Sequence, residues 1–542
     1  MTITPRTSIR SLAISTLSPV HVGCDEVYEP SGFVIHDGLL HVLDPADLAA
    51  ALSDSERRHL ATLADDQREP IGALQRFFRD SAARFAGFAS QQVAVAETIA
   101  REYQQKAGQA TQRGAAGEAT YNLFPIARTA YRPFDGTPYL PGSSLKGSMR
   151  TAWLNKRLVD DPQLPDRKTS SRSLEERLLG YSAGKFENDP FRHLALADAH
   201  PEEAGTPPPT RVLYAISKKK RPPRADERGS PELKVFLETI PDALPAAFIG
   251  EIRLDNEKMR WNSLCDACNA FYRPQLETEL DHPVLGALLD ASWKRLIGGL
   301  LGCELGELIA ARQGFLLRVG RHSGAESVTL DGWRRIKILG ARVDGRQTSD
   351  YRPNTTEKRY ACLTRASDGG LLPFGWLWVD ACDDRHRHLS DAVRQKLAAR
   401  SQPLREAHAD RLLRLEDKAK QRAAAVAAMA NRKAAAEATA RAEVEAQAAR
   451  ASALAEMSPN QRRVEEFIAE FAARAGQLRG NRENANAAFH TRARALAAEA
   501  IGWSHEERVA AADAIEEWLP KVVKVDLKDE RKKLKLAALR SA

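Results

Sequence analysis

The sequence has few of the features that build membrane spans or secretion signals. Its longest uninterrupted apolar runs, such as residues 296–303, are much shorter than the ~20 residues that a transmembrane helix requires. The N-terminal residues MTITPRTSIR contain no apolar segment of the secretory type. We therefore expect a cytoplasmic protein with no membrane partner.

Cysteine is also scarce. Six cysteines among 542 residues are too few for a disulfide framework, and a reducing cytoplasm would keep them as thiols. Cys265 and Cys268 form a CxxC pair within WNSLCDACNAFYR, a stretch with a helical pattern. No second CxxC or histidine pair follows at zinc-finger spacing, so two buried thiols are favoured over a zinc site. We predict no metal and no cofactor.

Aromatic residues make up only 6% of the chain, and no RNP-like aromatic motif is present. Base stacking on an open sheet is therefore poorly supported. Basic residues outnumber acidic ones by 80 to 72, and the net charge of +8 mildly favours a polyanionic partner.

The densest positive charge lies in SKKKRPPRADERGSP, which contains Lys218, Lys219, Lys220, Arg221 and Arg224. Its prolines, glycine and charge predict a mobile loop. Such a loop is either simply solvated or in contact with nucleic-acid phosphates, since non-specific backbone binding uses residues of this kind.

The composition, 43% hydrophobic and 28% charged, is that of a soluble globular protein with room for three or four domains. Residues 7–43 have a β pattern that includes a hairpin with the turn Asp37-Gly38. A helical insertion follows at about residues 45–112. Residues 1–165 and 166–385 each mix several strands with helices, which predicts an α+β fold with two ferredoxin-like domains.

The strand pattern ends near residue 385. Residues 386–457 form an alanine-rich, charged helix or linker with too few large apolar residues for a well-specified coiled coil. Residues 458–542 read as a small all-helical module that ends in the basic stretch KDERKKLKL. Partner docking and RNA contact are both open for this module, so a protein-interaction scaffold is one alternative function.

The stretch PYLPGSSLKGSMRTAW, residues 138–153, looks at first like a nucleotide-binding loop. In a P-loop, GxxxxGK[ST], the lysine directly follows the second glycine and reaches the terminal phosphates. Here Lys146 precedes Gly147, so an ATP site is excluded by residue order.

The same stretch predicts an anion site at the start of a helix. Gly142 permits a turn, Ser143 or Ser144 can cap the helix, and Lys146 and Arg150 lie four residues apart near its start. Free backbone N–H groups, hydroxyls and cations together suit a phosphate. An ordinary capped helix with solvated basic residues is the alternative.

A second cradle of this kind is predicted in GFLLRVGRHSGAES. Gly320, Arg321, Ser323 and Gly324 can present backbone N–H groups and one cation to a phosphate. A plain turn between the two glycines is the alternative.

Four stretches then carry a family resemblance: LSPVHVGCDEVYEPSGFVIHDG, PYLPGSSLKGSMRTAW, GFLLRVGRHSGAES and LPFGWLWV. In order and spacing, over about residues 8–380, they resemble the RAMP superfamily of CRISPR-associated proteins. Within it they are most similar to the family of fifth subunits of the Csm complex, the type III-A CRISPR effector. The region from about residue 386 onward departs from the family pattern.

The resemblance implies a noncatalytic subunit of an antiviral ribonucleoprotein, built from RRM-like, ferredoxin-like RAMP domains. Such a subunit binds the 3′ portion of the guide RNA (crRNA), caps that end and supports crRNA maturation. The implied partners are guide RNA, other RAMP backbone subunits, small helical subunits, target RNA and host nucleases. RNA contacts are expected at Gly142, Ser143, Ser144, Lys146, Gly147, Arg150, His21, Lys218, Lys219, Lys220, Arg221, Gly320, Arg321, His322, Ser323 and Gly324.

The main rival is a RAMP-type endoribonuclease acting on guide precursor or target RNA. Metal-independent RNA cleavage needs a general base and acid, and His21, His193 and His322 are the candidates. A histidine beside apolar residues is more often a packed side chain. Asp135 matches the approximate position of the slicing aspartate in sister subunits, but Asp135-Gly136 is also a plain turn signal.

Overall fold

The structure is a computed structural model that describes residues 7–65, 70–113, 119–161, 163, 169–202, 206–222, 235–255, 257–343, 346–365, 367–381, 387–478 and 480–541. The chain divides into two compact units, residues 1–421 and 422–542. Within the described residues, no helix combines the length and apolar character needed to cross a bilayer.

The strands are β1 (Thr7–Thr16), β2 (Gly23–Val27), β3 (Phe33–His36), β4 (Leu39–Leu43), β5 (Ala89–Val95), β6 (Ala110–Arg113), β7 (Ala119–Tyr121), β8 (Ile126–Thr129), β9 (Leu194–Leu196), β10 (Arg211–Lys219), β11 (Val235–Thr239), β12 (Phe248–Asp255), β13 (Gly314–Arg318), β14 (Ile336–Val343), β15 (Arg346–Arg352), β16 (Glu357–Cys362), β17 (Leu372–Pro373) and β18 (Trp376–Ala381).

The helices of the first unit are α1 (Pro45–Ala51), α2 (Asp54–Ala64), α3 (Pro70–Asp80), α4 (Ala82–Phe85), α5 (Glu97–Lys106), α6 (Gly142–Val159), α7 (Ser171–Leu179), α8 (Trp261–Asp281), α9 (Leu285–Leu288), α10 (Ala291–Gly302) and α11 (Glu304–Ala310). Helix α12 (Arg387–Glu456) crosses the boundary between the units. The second unit also contains α13 (Pro459–Leu478), α14 (Ala488–Glu499), α15 (His505–Val522), α16 (Leu527–Lys533) and α17 (Leu536–Arg540).

Two sheets form the frame of the first unit. One has the strand order β13–β18–β1–β12–β9 and is antiparallel throughout. The other has the order β2–β8–β11–β10–β5–β4–β3, and β16 also pairs with β10. One apolar core joins both sheets to helices α6 and α8.

The predicted α+β class is confirmed, and so are the long helix and the all-helical module after residue 458. The hairpin turn is also where the sequence places it, because Asp37 and Gly38 adopt φ values of 48° and 69° between β3 and β4. The insertion at residues 45–112 is mostly helical, but it also contributes β5 to the second sheet.

The predicted domain boundary at residue 165 does not fall between the two sheets. Strand β1 pairs with β12 over eight residue pairs and with β18 over five, so the first sheet draws on both predicted domains. The second sheet does the same through β8 and β11. The division into two ferredoxin-like domains therefore stays a prediction.

The second unit has its own apolar core. Phe467 and Phe471 of α13 stack with ring centroids 4.0 Å apart, and they share this core with Ile515 and Leu519 of α15. Burial of such side chains is the dominant stabilising contribution to a small helical unit.

Candidate nucleic-acid interface

Helix α6 begins at Gly142, and the first backbone N–H group of the helix already has a hydrogen-bond acceptor within the protein. The backbone N–H of Gly142 donates to Oδ1 of Asp198 at 2.7 Å, so a carboxylate occupies the position predicted for a phosphate. The prediction that Ser143 or Ser144 caps the helix is wrong, because the cap is Pro141 and no side chain caps the helix. Both serines lie in the first helical turn instead.

The two cations of this motif also have partners inside the protein. Nζ of Lys146 donates to the carbonyl of Leu194 at 2.7 Å, and burial lowers the pKa of this lysine. The guanidinium of Arg150 lies 2.7 Å from Glu175 and 2.9 Å from Asp189. These contacts engage the side chains that the sequence assigns to RNA.

The same helix supports the glycine-rich loop from behind. Oγ of Ser148 donates to the carbonyl of Arg318, the last residue of β13, at 2.9 Å. Oη of Tyr272 in α8 donates to the carbonyl of Ser148 at 3.0 Å. The motif at residues 142–150 therefore acts in this structure as a structural brace for the segment that follows β13.

The loop at residues 320–324 has the conformation that its glycines predict. Gly320 and Gly324 have φ values of 79° and 91°, and His322 between them has a φ of 67°. The backbone N–H of Arg321 donates to the carbonyl of His21 at 2.8 Å. A Cβ atom on Gly320 would lie 2.3 Å from that carbonyl oxygen, so only glycine fits this contact.

The structure thus brings together His21 and the glycine-rich loop, which lie 300 residues apart in the sequence. Nδ1 of His21 lies 2.7 Å from the carbonyl of Glu238 and donates to it, and its Nε2 is buried without a partner. Nε2 of His322 is likewise buried and unpartnered, and the ring packs on Phe374 at 5.4 Å. Burial, aided by Arg359 and Arg321, lowers the pKa of His322 to about 3.

A groove with a volume of about 490 Å³ opens beside this loop. Its walls come from the end of β10, the loop, β14 and the start of β16. The lining residues are Ser217, His322, Gly324, Ile336, Lys337, Ile338, Leu339, Thr355, Thr356, Glu357, Lys358 and Arg359.

Lys337 and Arg359, which line this groove, and Arg321 in the adjoining loop have no carboxylate partner among the described residues. Arg321 and Lys337 are exposed, and Arg359 is half-buried. Glu357 is the carboxylate in the lining, and it lies opposite Lys219 in the register of β10 and β16. The unpaired cations make the groove electropositive, which suits a polyanion.

A buried ionic network holds Lys358, which lines the groove. Glu279 of α8 lies 3.1 Å from Arg318 and 2.8 Å from Lys358, and the side chains of Glu279 and Arg318 are each only 1% exposed. Burial would raise the pKa of Glu279, but Arg318 and Lys358 lower it to about 2. Burial and Arg318 lower the pKa of Lys358 to about 8, so the lysine is still charged at neutral pH.

The basic loop is only partly described. Lys218 lies 3.6 Å from Asp368, and Lys220 lies 2.5 Å from Glu326, so both have acidic partners. Lys219 is exposed, and Nη1 of Arg221 donates to the carbonyl of Pro222. Arg224 lies outside the described residues.

The other candidates lie elsewhere. His193 contacts Asp255 at 3.6 Å and the carbonyl of Glu187 at 3.3 Å, beside the first sheet. Asp135 pairs with Arg132 at 2.5 Å and accepts from the N–H of Thr137, as a turn residue does. The structure therefore does not bring either residue to the groove lining.

Cys265 and Cys268 are fully buried on α8, where burial raises the pKa of both thiols. Thiolates, the form that binds metal, are disfavoured in such surroundings. Within the part of the chain that the structure describes, no cluster of three metal-binding side chains occurs.

Sequence reasoning missed Lys337 and Arg359. The only local signal for Arg359 is its place in a strand-like stretch after the glycine-rich loop. Its position depends on the register of β16 with β10, in which Arg359 is opposite Ser217. A groove that combines a positive-φ glycine loop with unpaired cations defines a candidate polyanion-binding protein of α+β class.

Comparison with known families narrows this class. The model of the RAMP superfamily matches residues 13–272, so this part of the chain is similar to that superfamily. No curated protein matches the sequence.

Two solved structures show a weaker similarity. A chain in the cryo-EM structure of a Csm–crRNA–target RNA ternary complex of a type III-A CRISPR-Cas system is 18% identical, with a TM-score of 0.36. The crystal structure of Csm5 from T. onnurineus is 17% identical, with a TM-score of 0.32. Each match covers 68% of this chain and 99% of the other. With TM-scores below 0.5, these similarities establish neither fold nor function.

Proposed function

We propose that this chain is a noncatalytic, guide-RNA-binding subunit of a type III-A CRISPR ribonucleoprotein complex. In this proposal the groove beside residues 320–324 holds phosphates of the guide RNA. The chain caps the 3′ end of the crRNA, supports its maturation and contacts neighbouring RAMP and small helical subunits. The RAMP match and the four sequence stretches that resemble the Csm family support this assignment.

The observation that carries the proposal is the set of unpaired cations at the groove. Arg321, Lys337 and Arg359 have no carboxylate partner among the described residues, whereas Lys220 and Arg318 nearby form ion pairs. Phosphate contacts of this kind bind RNA without reading its sequence. A subunit that accepts many different guides needs such contacts.

The absence of catalysis is part of the proposal. A general acid or base works best when its pKa lies near the working pH. Burial lowers the pKa of both His21 and His322, the latter to about 3, and so keeps both rings neutral. Neutral, buried rings of this kind fit a packing role better than proton transfer.

The test compares RNA affinity of the full chain with that of an Arg321→Gln/Arg359→Gln variant over a salt series. We expect weaker binding of every RNA sequence and a salt slope that falls by about 0.7 for each lost phosphate contact. The matched control is Arg432→Gln/Arg441→Gln, on the exposed part of α12.

Unchanged affinity and slope in the groove variant would contradict the proposal. Cleavage of RNA by the purified chain, abolished by His322→Ala, would contradict its noncatalytic part.

A further inference from the structure

A second group of basic side chains lies on the first part of α12, within the first unit. His408 and Arg411 on this helix are each only 8% exposed. Together with Arg414 and Lys418 they recur at intervals of three, three and four residues, which places all four on one helix face. Across from them lies Arg211, the first residue of β10. We refer to Arg211, His408 and Arg411 as the Arg211–Arg411 cluster.

The buried Nε atoms of Arg211 and Arg411 have no hydrogen-bond partner. The imidazole of His408 is neutral, because burial lowers its pKa to about 4, and it donates to the backbone of Pro207. The contact of Arg411 within the cluster is with Nδ1 of His408, at 3.5 Å from its Nη2. Neither arginine forms an ion pair with a carboxylate among the described residues.

The nearest carboxylate does not compensate this charge. Asp242 raises the pKa of Arg211 through its field, but it lies 2.6 Å from Nε of Arg400 and is committed to that pair. Burial lowers the pKa of Arg211, and burial together with Arg414 and Arg211 lowers that of Arg411. Buried charges in proteins are normally paired, so this cluster lacks an anion.

An approach to the cluster is open. His408 lines a cavity with a volume of about 550 Å³ between α12 and two proline-containing segments, residues 206–209 and 244–247. Glu202 and Glu406 also line this cavity, but both are exposed, and Glu406 accepts from Gln402 at 2.8 Å. His408 and the exposed Arg405 line this cavity, and Arg411 contacts His408.

The Arg211–Arg411 cluster and the groove lie near opposite ends of strand β10. Side chains along a strand alternate between faces, so Arg211 and Ser217 of β10 lie on the same face of the sheet. Ser217 lines the groove. Six residues separate them, which corresponds to about 20 Å along the strand. Leu213 and Ala215, which lie between them on this face, are buried in an apolar cluster with Phe374. A single-stranded RNA must therefore pass around this cluster to reach both sites.

We propose that the Arg211–Arg411 cluster binds a phosphodiester group of the same single-stranded RNA that occupies the groove. This inference rests on the proposed function, and it assigns the first part of α12 to RNA contact. The planar, forked guanidinium groups of two arginines suit a phosphate oxygen pair. Helix α12 lies outside the matched RAMP region, whereas Arg211 lies inside it.

The test uses the full chain and a generic single-stranded RNA long enough to span both sites. Affinity is measured between ~50 and ~200 mM salt for the wild type and for Arg211→Gln/Arg411→Gln, with Arg432→Gln/Arg441→Gln as the control. We expect lower affinity and a salt slope shallower by about 0.7 per lost phosphate contact. The melting temperature should stay equal or rise, because the variant removes buried unpaired charge.

The outcomes separate this inference from the proposed function. If Arg321→Gln/Arg359→Gln weakens binding but Arg211→Gln/Arg411→Gln does not, this inference fails. The proposal that the groove holds guide-RNA phosphates is then retained. If the double variant does not fold, Arg411→Lys replaces it, and wild-type affinity in that folded variant overturns the forked phosphate contact.

If the wild type binds no RNA, the proposed function fails, and inorganic phosphate becomes the probe. If phosphate raises the melting temperature of the wild type but not that of Arg211→Gln/Arg411→Gln, the cluster is an anion site that binds free phosphate. No rise in the wild type overturns the inference.

Discussion

At the scale of single residues, two glycines five positions apart on α6 have opposite roles. A Cβ atom on Gly142 would lie 2.7 Å from the carbonyl oxygen of Leu196 and 2.8 Å from that of Ala197. A Cβ atom on Gly147 would meet nothing within 4 Å. The first glycine lets the end of β9 approach the helix, and the second is an exposed helical position.

We therefore predict opposite effects of the same substitution. Gly142→Ala should destabilise the chain by about 1–3 kcal/mol, because backbone atoms cannot move aside cheaply. Gly147→Ala should stabilise it by about 0.5–1 kcal/mol, because alanine favours the helix. Urea unfolding of both variants checks this, and equal effects would contradict the assigned packing.

The same helix shows what the sequence could and could not reveal about residues. The turn, the helix start and the buried face of Leu145, Met149 and Ala152 follow from local spacing. The partners of Lys146 and Arg150 do not, because Leu194 and Asp189 lie about 40 residues or more away. A phosphate cradle and an intramolecular ion pair require the same residue types, and only the fold distinguishes them.

At the scale of elements, one buried carboxylate on α8 links this helix to three strands. Glu279 of α8 contacts Arg318 of β13 and Lys358 of β16, and it also accepts from Nε1 of Trp376 at 3.0 Å. These contacts hold Lys358, which lines the groove. Removing one member of a buried network leaves the others uncompensated.

We predict that Glu279→Gln destabilises the chain by about 3–5 kcal/mol at pH 7, as measured by urea unfolding. Glu277→Gln on the same helix breaks only an exposed pair with Arg273 and should change stability by at most about 1 kcal/mol. The folded pKa of Glu279 is about 2, below its ordinary value of 4.5. Its contribution is therefore complete above pH 4.5 and is lost as the pH falls toward 2.

A Glu279→Gln variant as stable as the wild type at pH 7 would contradict this network. So would a wild type whose stability does not change between pH 4.5 and 2.

Elements were predictable where their signals are local. The hairpin of β3 and β4 was found from Asp37-Gly38, and α8 from its periodicity. The sheet to which each strand belongs is not predictable in this way, because β1 pairs with β12, more than 230 residues later in the chain. No local pattern specifies such a pairing, so the sequence predicts two consecutive domains. In the structure, each of the two sheets contains strands from both of these predicted domains.

At the scale of the whole molecule, the mild net charge of +8 conceals where unpaired charge lies. Many cations form ion pairs, including Arg150 of the motif at residues 142–150 and two of the lysines at 218–220. Arg321, Lys337 and Arg359 at the groove form no ion pair among the described residues, and neither do Arg211 and Arg411 of the Arg211–Arg411 cluster. RNA binding by the chain should depend on these positions rather than on overall charge.

The most direct measurement of this account is photo-crosslinking of a thiouridine-containing RNA to the full chain, with the crosslinked residues mapped by mass spectrometry. We expect crosslinks at residues 320–324, 336–339 and 355–359, and we expect them to be lost in Arg321→Gln/Arg359→Gln. Crosslinks confined to residues 142–150 or to the helical module at 458–541 would contradict it.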